Sequence, residues 1–409
     1  MRTVIDKALK SIRADAATGK VQVRAVGIDA EISERRPVEK APKASKKRAA
    51  QDDKAKRKGS IIHSDQELTE LLKTARAKIR VIGVGGGGGN TIQRMSEVGI
   101  IGAETFAVNT DAQDLLTVCA DRKILVGKKL TRGLGSGSNP QIGEAAAHES
   151  IEELNELLAD SDLVFITCGM GGGTGTGGSP VIAAITKDLK ALTIGVVTLP
   201  FTVEGKKRME NALDGLSKLR QHADTVIVIP NDKILEIAPD LPVNAAFKVA
   251  DEVLTNAVKG ITEMVTKPGL INLDFADLRT ILEKGGAAMI GLGESSTEKA
   301  SDSRALEAVE NALTSPLLDV DISCASRALV NVVGGSDMTL REAEMIVEAV
   351  SAKIHSDAHI IWGAMIDENI PRNRIQAMIV IAGGKFPYLE KNASGKFEGS
   401  IDLGIRFTD

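Results

Sequence analysis

Between residues 79 and 229, short apolar runs alternate with longer segments in which apolar residues recur every three or four positions. The short runs predict buried strands and the longer segments predict helices. The predicted strands occupy residues 79–84, 104–109, 123–126, 162–168, 192–199 and 225–229. The main predicted helices occupy residues 140–159, 181–189 and 206–222. Strands and helices that alternate in this way are typical of an α/β fold with a parallel sheet.

A long helix is predicted over residues 243–265, and the pattern changes after the Pro-Gly pair at 268–269. Beyond this pair, helices are predicted at 274–284, 303–313 and 339–354, and strands at 287–291, 328–333, 360–366 and 376–381. The chain is therefore predicted to contain an N-terminal extension, a first domain, a central helix, a smaller α/β domain and a tail, at residues 1–60, 61–242, 243–267, 268–384 and 385–409.

The composition of the 409 residues fits this prediction, because 43% are hydrophobic but only 2% are aromatic. A core of Val, Ile, Leu and Ala is usual where a parallel sheet is buried on both faces. The cysteines (Cys119, Cys168 and Cys324) are odd in number and far apart, so they provide neither a disulfide framework nor a metal-binding pair. No apolar run is long enough to span a membrane and no secretory signal is visible, so we predict a cytoplasmic protein.

Charge is distributed unevenly, since residues 1–60 contain 17 Lys and Arg against 8 Asp and Glu, whereas the whole chain has a net charge of −4. The basic excess is densest at residues 43–58, which lack apolar periodicity. Residues 1–13 have the pattern of a short basic amphipathic helix with an apolar face formed by Val4, Ile5, Ala8, Leu9 and Ile12. Two interpretations of residues 1–58 stay open: a solvated linker, or attachment to an anionic membrane or an acidic partner. We do not expect nucleic acid as a partner.

Three glycine-rich loops follow predicted strands, at residues 83–89, 133–138 and 169–178. The third loop reads G-M-G-G-G-T-G-T-G-G and precedes Pro180, where a helix is predicted to begin. Glycine lets backbone N–H groups approach an anion closely, and a helix N-terminus attracts negative charge. The loops therefore predict a site for a phosphate chain.

The number of loops discriminates between nucleotide-binding folds. Gly83, Gly85 and Gly88 match G-x-G-x-x-G, with Asp111 about 20 residues later, and alone they would favour an NAD-dependent dehydrogenase. A dinucleotide fold needs one such loop, whereas three converging loops suit the β- and γ-phosphates of a triphosphate better. The P-loop pattern G-x-x-x-x-G-K-[ST] and the N-K-x-D motif of Ras-like enzymes are absent from the sequence. Backbone dipoles, a metal ion and Arg208 would then meet the phosphate charge.

Six motifs together resemble those of the FtsZ family, the tubulin-related cell-division GTPases. They are G-G-G-G-G-N at 85–90, N-T-D at 109–111, G-L-G-S-G-S-N-P at 133–140, G-M-G-G-G-T-G-T-G at 169–177, F-T-V-E-G-K-K-R at 201–208 and N-L-D-F-A-D-L at 272–278. The resemblance covers residues 79–384 and is more archaeal than bacterial, because the sequence ends soon after its second domain. It implies a tubulin/FtsZ-like fold with a Rossmann-type GTP-binding domain, a long central helix and a smaller α/β C-terminal domain. It also implies a GTP-dependent polymer of the division ring, in the cytoplasm at the division site.

The resemblance also implies a set of site residues. GTP or GDP would be held by Gly86, Gly87, Gly88, Gly89, Asn90, Thr91, Asn109, Asp111, Gly137, Gly171, Gly172, Gly173, Thr174, Gly175, Thr176, Glu204, Arg208, Asn231, Phe247 and Asp251. In this set Glu204 and Arg208 would contact the ribose and phosphates, and Asn231 and Asp251 would read the guanine edge while Phe247 packs on the base. Mg²⁺ would be bound mainly through the phosphates, and its protein ligands stay unknown.

The resemblance assigns Asn272, Asp274 and Asp277 to catalysis, where the two aspartates activate the water that attacks the γ-phosphate. A purely structural interpretation of both aspartates stays open: Asp274 would be a helix N-cap, and Asp251 would be a solvated position on a helix.

Helix length places the acidic motif away from the nucleotide. Phe247 and Asp251 would lie in the first turns of the long helix and the aspartates beyond its far end, about 30 Å away at ~1.5 Å per residue. Asp274 and Asp277 would therefore serve the nucleotide of a neighbouring subunit, in a head-to-tail contact that builds an open filament. The alternative is an FtsZ-related scaffold or cell-shape protein with slow or no hydrolysis, which would keep the loops without needing the aspartates.

The tail offers a second kind of contact. Apolar residues alternate with polar ones at Ile401, Leu403, Ile405 and Phe407. This is the pattern of a strand that adds to the sheet of a partner, here a membrane-anchoring adaptor. A frayed terminus is the other interpretation.

Overall fold

The computed structural model describes residues 77–237, 242–296, 301–318 and 321–384. The basic segment 1–58 and the alternating segment 401–407 lie outside these residues, so both interpretations of each segment stay predictions. None of the helices in the described part of the chain is both long and apolar enough to cross a membrane.

The described residues contain one sheet of ten strands. The strands are β1 (Ile79–Val84), β2 (Ala103–Asn109), β3 (Arg122–Leu125), β4 (Leu163–Gly169), β5 (Leu192–Leu199), β6 (Thr225–Pro230), β7 (Gly286–Glu294), β8 (Arg327–Gly334), β9 (His359–Ile366) and β10 (Ile375–Ala382). Their order across the sheet is β3-β2-β1-β4-β5-β6-β7-β10-β8-β9. The first seven strands in this order are parallel to one another, and β10 runs antiparallel to β7 and β8. The predicted α/β fold and each predicted strand are confirmed.

Twelve α-helices lie in the described ranges. They are α1 (Gly85–Val98), α2 (Ala112–Thr117), α3 (Lys128–Thr131), α4 (Pro140–Glu149), α5 (Ile151–Leu158), α6 (Thr174–Asp188), α7 (Lys206–His222), α8 (Asp232–Ile237), α9 (Val243–Thr266), α10 (Phe275–Leu282), α11 (Ser301–Leu313) and α12 (Leu340–Ser351). The sequence analysis missed α2, α3 and α8, because helices of four to six residues are too short to establish a helical period.

The prediction of one helix over residues 140–159 is wrong, because α4 ends at Glu149 and α5 begins at Ile151. The Glu149 carboxylate accepts hydrogen bonds from the backbone N–H groups of Lys129 (2.8 Å) and Leu130 (3.0 Å). The Ser150 hydroxyl accepts another from the N–H of Gly127 (3.3 Å). These contacts cap α3 with the end of α4, and the chain turns there. Helical periodicity cannot show such a long-range contact.

The predicted helix start at Pro180 is also wrong, because α6 begins six residues earlier, at Thr174, and contains the last glycines of the loop. A Cβ at Gly177 would overlap the carbonyl oxygen of Pro140 in α4, and one at Gly143 in α4 would overlap the carbonyl oxygen of Gly173. The backbones of α4 and α6 are therefore in direct contact. This contact holds glycine in a helix despite its low helix propensity.

The sheet is covered on both faces, as its composition predicted. On the parallel half, α1 and α9 pack on one face, while α4, α5, α6 and α7 pack on the other. The cluster under α9 extends from Ile79 of β1 to Leu329 of β8 and Val380 of β10. Because β6 also pairs with β7, the sheet continues through the predicted central boundary, and the predicted domain limits stay a prediction.

We expect Gly177→Ala to lower the free energy of unfolding by about 1–3 kcal/mol, because the new methyl would overlap a backbone oxygen of α4. Gly178→Ala is the matched control in the same helix, since its Cβ would make only ordinary contacts, with Val84 Cγ1 at 3.4 Å and with Ala147 Cβ and the Gly143 carbonyl oxygen at 3.8 Å. Alanine also has the higher helix propensity, so the control should be neutral or stabilising. Urea unfolding of both variants measures the difference, and equal stabilities would contradict the backbone contact.

Candidate functional site

A cavity of about 650 Å³ opens at the carboxyl ends of the parallel strands. Its wall includes a residue at the end of β1 (Val84), β2 (Asn109), β4 (Gly169) and β5 (Thr198), and one directly after β6 (Asn231). This edge is where open α/β sheets bind their ligands, since the loops that leave neighbouring strands meet there.

Two helix N-termini open onto this cavity. The helix α1 begins at Gly85 and α6 begins at Thr174, and both residues line the cavity. Neither helix has a side chain that caps its N-terminus or an acidic residue in its first turn. Their first N–H groups are therefore available to a ligand, and the two positive helix ends act together. This arrangement favours an anion with several oxygen atoms.

The glycines at these helix starts leave room for a ligand. Gly86, Gly87 and Asn90 of α1 are exposed and line the cavity. Gly172 also lines it, and a Cβ there would meet no atom within 4 Å on the protein side. Gly85 has a φ of 71°, and its Cβ would lie 2.8 Å from the N–H nitrogen of Gly175, so this close approach of the two loops requires glycine.

Hydroxyl groups support the start of α6. The Thr174 hydroxyl is 2.6 Å from that of Thr110 and 2.9 Å from that of Ser136. All three side chains are buried, and all three residues line the cavity. The sequence analysis found Thr174 but missed Thr110 and Ser136. The serine lies in the G-L-G-S-G-S motif, whose glycines Gly135 and Gly137 have φ values of 82° and 58°.

The opposite wall combines an aromatic ring with polar groups. Phe247 is 41% exposed and packs edge-on against Phe201, with ring centroids 5.0 Å apart. Asn231 is buried, and its Oδ1 atom has no hydrogen-bond partner. Asp251 of α9 completes this wall. A flat apolar surface beside polar groups without full hydrogen bonding suits a heterocyclic base.

The pKa of Asp251 is raised from 3.8 to about 7, chiefly because the carboxyl is buried and to a smaller extent because the Glu252 carboxylate is nearby. The Thr91 hydroxyl, 3.3 Å from Asp251 Oδ1, and the positive charge of Arg94 act in the opposite direction but do not compensate. The ionised form of this carboxyl is therefore disfavoured in the protein alone. A ligand that donates hydrogen bonds to it would favour the ionised form.

Cationic side chains are scarce around the cavity. Arg208 is the one lysine or arginine among the described lining residues, against the carboxylates of Asp111, Asp114, Glu204 and Asp251. Arg208 Nη1 forms an ion pair with Glu204 Oε2 at 2.7 Å, and Glu204 Oε1 accepts a hydrogen bond from the N–H of Phe201 at 2.8 Å. An anionic ligand would depend mainly on backbone N–H groups and on a cation bound with it.

Asp111 and Asp114 both line the cavity, and Asp114 Oδ2 lies beside Gly86 at the start of α1. Asp111 caps α2 by accepting hydrogen bonds from the N–H groups of Gln113 (2.9 Å) and Asp114 (3.2 Å). Asp114 accepts one from Asn109 Nδ2 (2.7 Å) and was missed by the sequence analysis. Oxygen ligands of this kind suit Mg²⁺. The described ranges contain no group of three His, Cys, Asp or Glu residues that could hold a metal ion by themselves.

Five of the predicted binding residues lie behind the cavity wall rather than on it: Gly88, Gly89, Thr91, Gly171 and Thr176. Gly88 and Gly89 pack α1 against Thr167 and Val118, respectively. The Thr176 hydroxyl accepts a hydrogen bond from the N–H of Gly171 at 2.8 Å, and Gly171 has a φ of 100°. These residues shape the loops. The other fifteen predicted binding residues all line the cavity.

The acidic motif lies elsewhere. Asn272, Asp274 and Asp277 are exposed, and none of them lines the cavity. Asp274 is the N-cap of α10 and accepts a hydrogen bond from the N–H of Asp277 at 2.9 Å. The 15 residues of α9 between Asp251 and its end at Thr266 span about 22 Å at ~1.5 Å per residue. In one subunit, this motif and the cavity are therefore at opposite ends of α9.

Residues 78–239 match the family described as "Tubulin/FtsZ family, GTPase domain", and residues 286–385 match "FtsZ family, C-terminal domain". The chain is 58% identical over 319 residues to cell division protein FtsZ 1 of Methanocaldococcus jannaschii, which covers 78% of this chain and 86% of that protein. It is also 58% identical over 324 residues to the protein of the same name from Thermococcus kodakarensis, which covers 79% of this chain and 85% of that protein.

A solved structure described as an empty FtsZ dimer from M. jannaschii is similar to this chain with a TM-score of 0.74 and 58% identity. The match covers 78% of this chain and 92% of that one.

In the absence of nucleotide, we expect Asp251→Asn to be more stable than the wild type. The difference between their free energies of unfolding should widen from about pH 5 to pH 7 and be constant above. The pKa of Asp251 is about 7 in the folded protein, against 3.8 in the unfolded chain. Between these pH values the folded state of the wild type binds more protons than the unfolded state does. The wild type therefore loses, as the pH rises through the folded pKa, stability that it has at low pH. Unfolding temperatures of both proteins from pH 5 to pH 8 test this, and a gap independent of pH would contradict it.

Proposed function

Since this chain belongs to the tubulin/FtsZ family, we propose that its GTPase site is completed by two subunits of a head-to-tail polymer. Family membership makes the chain a GTPase and a GTP-dependent cytoskeletal protein of cell division. The observation that carries the proposal is the convergence of two uncapped helix N-termini on one cavity, while the acidic motif at 272–278 lies outside it.

We infer that the phosphates bind between the two helix starts. Gly86, Gly87 and Asn90 would face them from α1, and residues 172–175 from α6, since these positions line the cavity. Backbone N–H groups are suited to this role because they are fixed in place before the ligand arrives. Arg208 supplies a positive charge at the cavity wall, held by Glu204.

The base would lie against Phe247, with Asn231 and Asp251 at its polar edge. Guanine carries two neighbouring donors, N1–H and the 2-amino group, and one ionised carboxylate can accept hydrogen bonds from both. The unpartnered Oδ1 of Asn231 supports a ligand at this wall. Because the guanine donors favour the ionised carboxylate, GTP binding would lower the pKa of Asp251.

Mg²⁺, when bound, would neutralise charge on the β- and γ-phosphates. Asp111 and Asp114 are the side chains that suit its hydration shell, because both are carboxylates on the cavity wall and Asp114 lies beside the start of α1. Three protein ligands are not needed for such an ion, since Mg²⁺ commonly keeps several waters beside substrate phosphates.

Hydrolysis would require a second subunit. Asp274 and Asp277 are exposed and lie beyond the far end of α9, too distant to orient a water molecule at the γ-phosphate of their own subunit. Placed against the cavity of the next subunit, they would position this water and accept its proton. Such a contact joins two different surfaces and generates an open filament. A scaffold with slow or no hydrolysis is the alternative, in which the aspartates would be dispensable.

We further infer that the polymer is attached to the membrane at the division site through an adaptor. The alternating residues Ile401–Phe407 would add as a strand to the adaptor, and the basic residues 1–58 would be attracted to anionic lipids. Co-sedimentation of the full chain and of a variant without residues 1–60 with anionic vesicles distinguishes the two attachments. Equal binding of the two proteins would contradict the lipid role of the extension.

We expect Asp251→Asn to reverse base preference, from GTP over XTP to XTP over GTP. Xanthine carries an oxygen in place of the 2-amino group, so the asparagine amide can donate to it and still accept N1–H. One mismatched buried polar group costs about tenfold or more in affinity. Equilibrium titration with both nucleotides measures the ratio. Asp277→Ala should keep the wild-type preference, and an unchanged preference in Asp251→Asn would contradict the base assignment.

We expect Asp277→Ala to bind GTP as the wild type does but to hydrolyse it about 10²–10⁴ times more slowly, because the water loses its proton acceptor. Gly86→Asp should instead fail to bind GTP, because its Cβ would lie 3.3 Å from Asp114 Oδ2 and bring a second negative charge to the start of α1. Phosphate release and nucleotide affinity measure the two losses separately.

Mixing the two variants tests whether the site is shared. Each is nearly inactive alone, but GTP on an Asp277→Ala subunit can meet the intact aspartates of a Gly86→Asp subunit. Activity of the mixture well above the sum of the two would support a shared site. A mixture that shows only the sum, or a wild-type specific activity that persists on dilution below the filament-forming concentration, would place the aspartates in their own subunit's site.

A further inference from the structure

We propose that the ion pair between Arg94 of α1 and the buried Glu252 of α9 is a positioning pair, which fixes the base-reading carboxylate of Asp251 relative to the phosphate-binding end of α1. The inference rests on the proposed GTP site and adds a residue pair that touches neither the phosphates nor the base. Neither Arg94 nor Glu252 lines the cavity.

Two polar contacts connect α1 with α9. The Thr91 hydroxyl lies 3.3 Å from Asp251 Oδ1 and 3.1 Å from the carbonyl oxygen of Gly87. Arg94 Nε donates a hydrogen bond to Glu252 Oε2 at 2.6 Å. Thr91 and Arg94 are three residues apart, so they share one face of α1. Their partners are consecutive on α9, so the two contacts together restrict both rotation and sliding of one helix against the other.

Burial makes the second contact the stronger constraint. The Glu252 side chain is 1% exposed and that of Arg94 is 21% exposed. A carboxylate buried to this degree is tolerated only with a charged or hydrogen-bonded partner. Arg94 also donates from Nη1 to the exposed Glu97 at 2.9 Å, which orients its guanidinium from the solvent side. The α9 helix is thereby held against α1 where Asp251 enters the cavity wall.

The consequence concerns base recognition more than phosphate binding. The phosphates would contact the helix starts themselves, including Gly87, and these contacts do not depend on where α9 lies. The guanine edge would contact Asp251, whose place relative to Gly87 is set through Thr91 and the ion pair. A nucleotide that contacts both Gly87 and Asp251 needs these two residues at one fixed separation. Preorganisation of that separation favours the base that matches it.

Loosening the pair should therefore reduce guanine discrimination. The probe is the ratio of the dissociation constants of GTP and ITP, because ITP lacks the 2-amino group. We expect Arg94→Gln to bind GTP about tenfold more weakly while its affinity for ITP changes little, since about one hydrogen bond to the base is lost. A loss shared equally by both nucleotides, or an unchanged ratio, would overturn the inference.

A second variant separates positioning from stability. Replacing both partners, as Arg94→Met with Glu252→Met, removes the buried charges together, and such replacements are often neutral for stability. This double variant should unfold at close to the wild-type temperature but show the reduced preference for GTP. If the folded double variant has the same ratio of GTP to ITP dissociation constants as the wild type, the inference is overturned. This test holds even if Arg94→Gln alone does not fold.

A matched control lies in the C-terminal half. Arg374 and Glu294 form a partly buried pair at 3.0 Å, and neither residue lines the cavity. Arg374→Gln should lower the unfolding temperature and leave the ratio of GTP to ITP affinity unchanged. If this ratio changes, the effect of Arg94→Gln is due to general destabilisation and the inference is overturned. The wild-type ratio tests the underlying site separately: a wild type that binds GTP and ITP equally contradicts the proposed reading of the base by Asp251.

Discussion

The unsatisfied backbone N–H groups at the starts of α1 and α6 are the interaction on which this structure depends. They can act on one ligand only if both helices begin at the same point, and the sheet arranges this because β1 and β4 are neighbouring parallel strands. Each of these strands is followed by its helix, α1 immediately after β1 and α6 after the loop 170–173 that follows β4. The glycines follow from the same constraint: those on the cavity side leave room for the ligand, and those behind it let α6 contact α4 backbone to backbone.

The α9 helix sets the second constraint. With 24 residues it lies on one face of the sheet and packs against both halves of the molecule. Its first turns contribute Phe247 and Asp251 to the cavity, and its far end leads to the acidic motif. A rigid helix cannot bring both ends to one phosphate, so in the proposed site the length that joins the two halves would also separate binding from hydrolysis within a subunit. Assembly would then be the step that unites them.

Local pattern predicted the fold well and the site in part. The strands were identified because apolar runs this short, between turn residues, are too short for buried helices. Fifteen predicted binding residues line the cavity because contiguous motifs lie on the loops that leave the strands. The start of α6 was misplaced because its glycines are helical only through contact with α4. The break at Ser150 and the pairing of Arg94 with Glu252, 158 residues apart, were missed for the same reason. Each depends on a partner distant in sequence, which no periodicity reveals.

Asp251 and Glu252 show how the protein treats two consecutive carboxylates differently. Glu252 is buried with a guanidinium at 2.6 Å, so its charge is compensated within the chain. Asp251 has only a hydroxyl at 3.3 Å, and burial raises its pKa to about 7. The donors it lacks are of the kind that a guanine edge carries. If the ligand alone compensates this charge, the ionised carboxylate destabilises the protein without nucleotide and favours nucleotide binding, so binding and folding stability would be linked. The neighbouring ion pair would make this linkage specific, because in the proposed site it would hold the uncompensated carboxylate where only a correctly placed base can reach it.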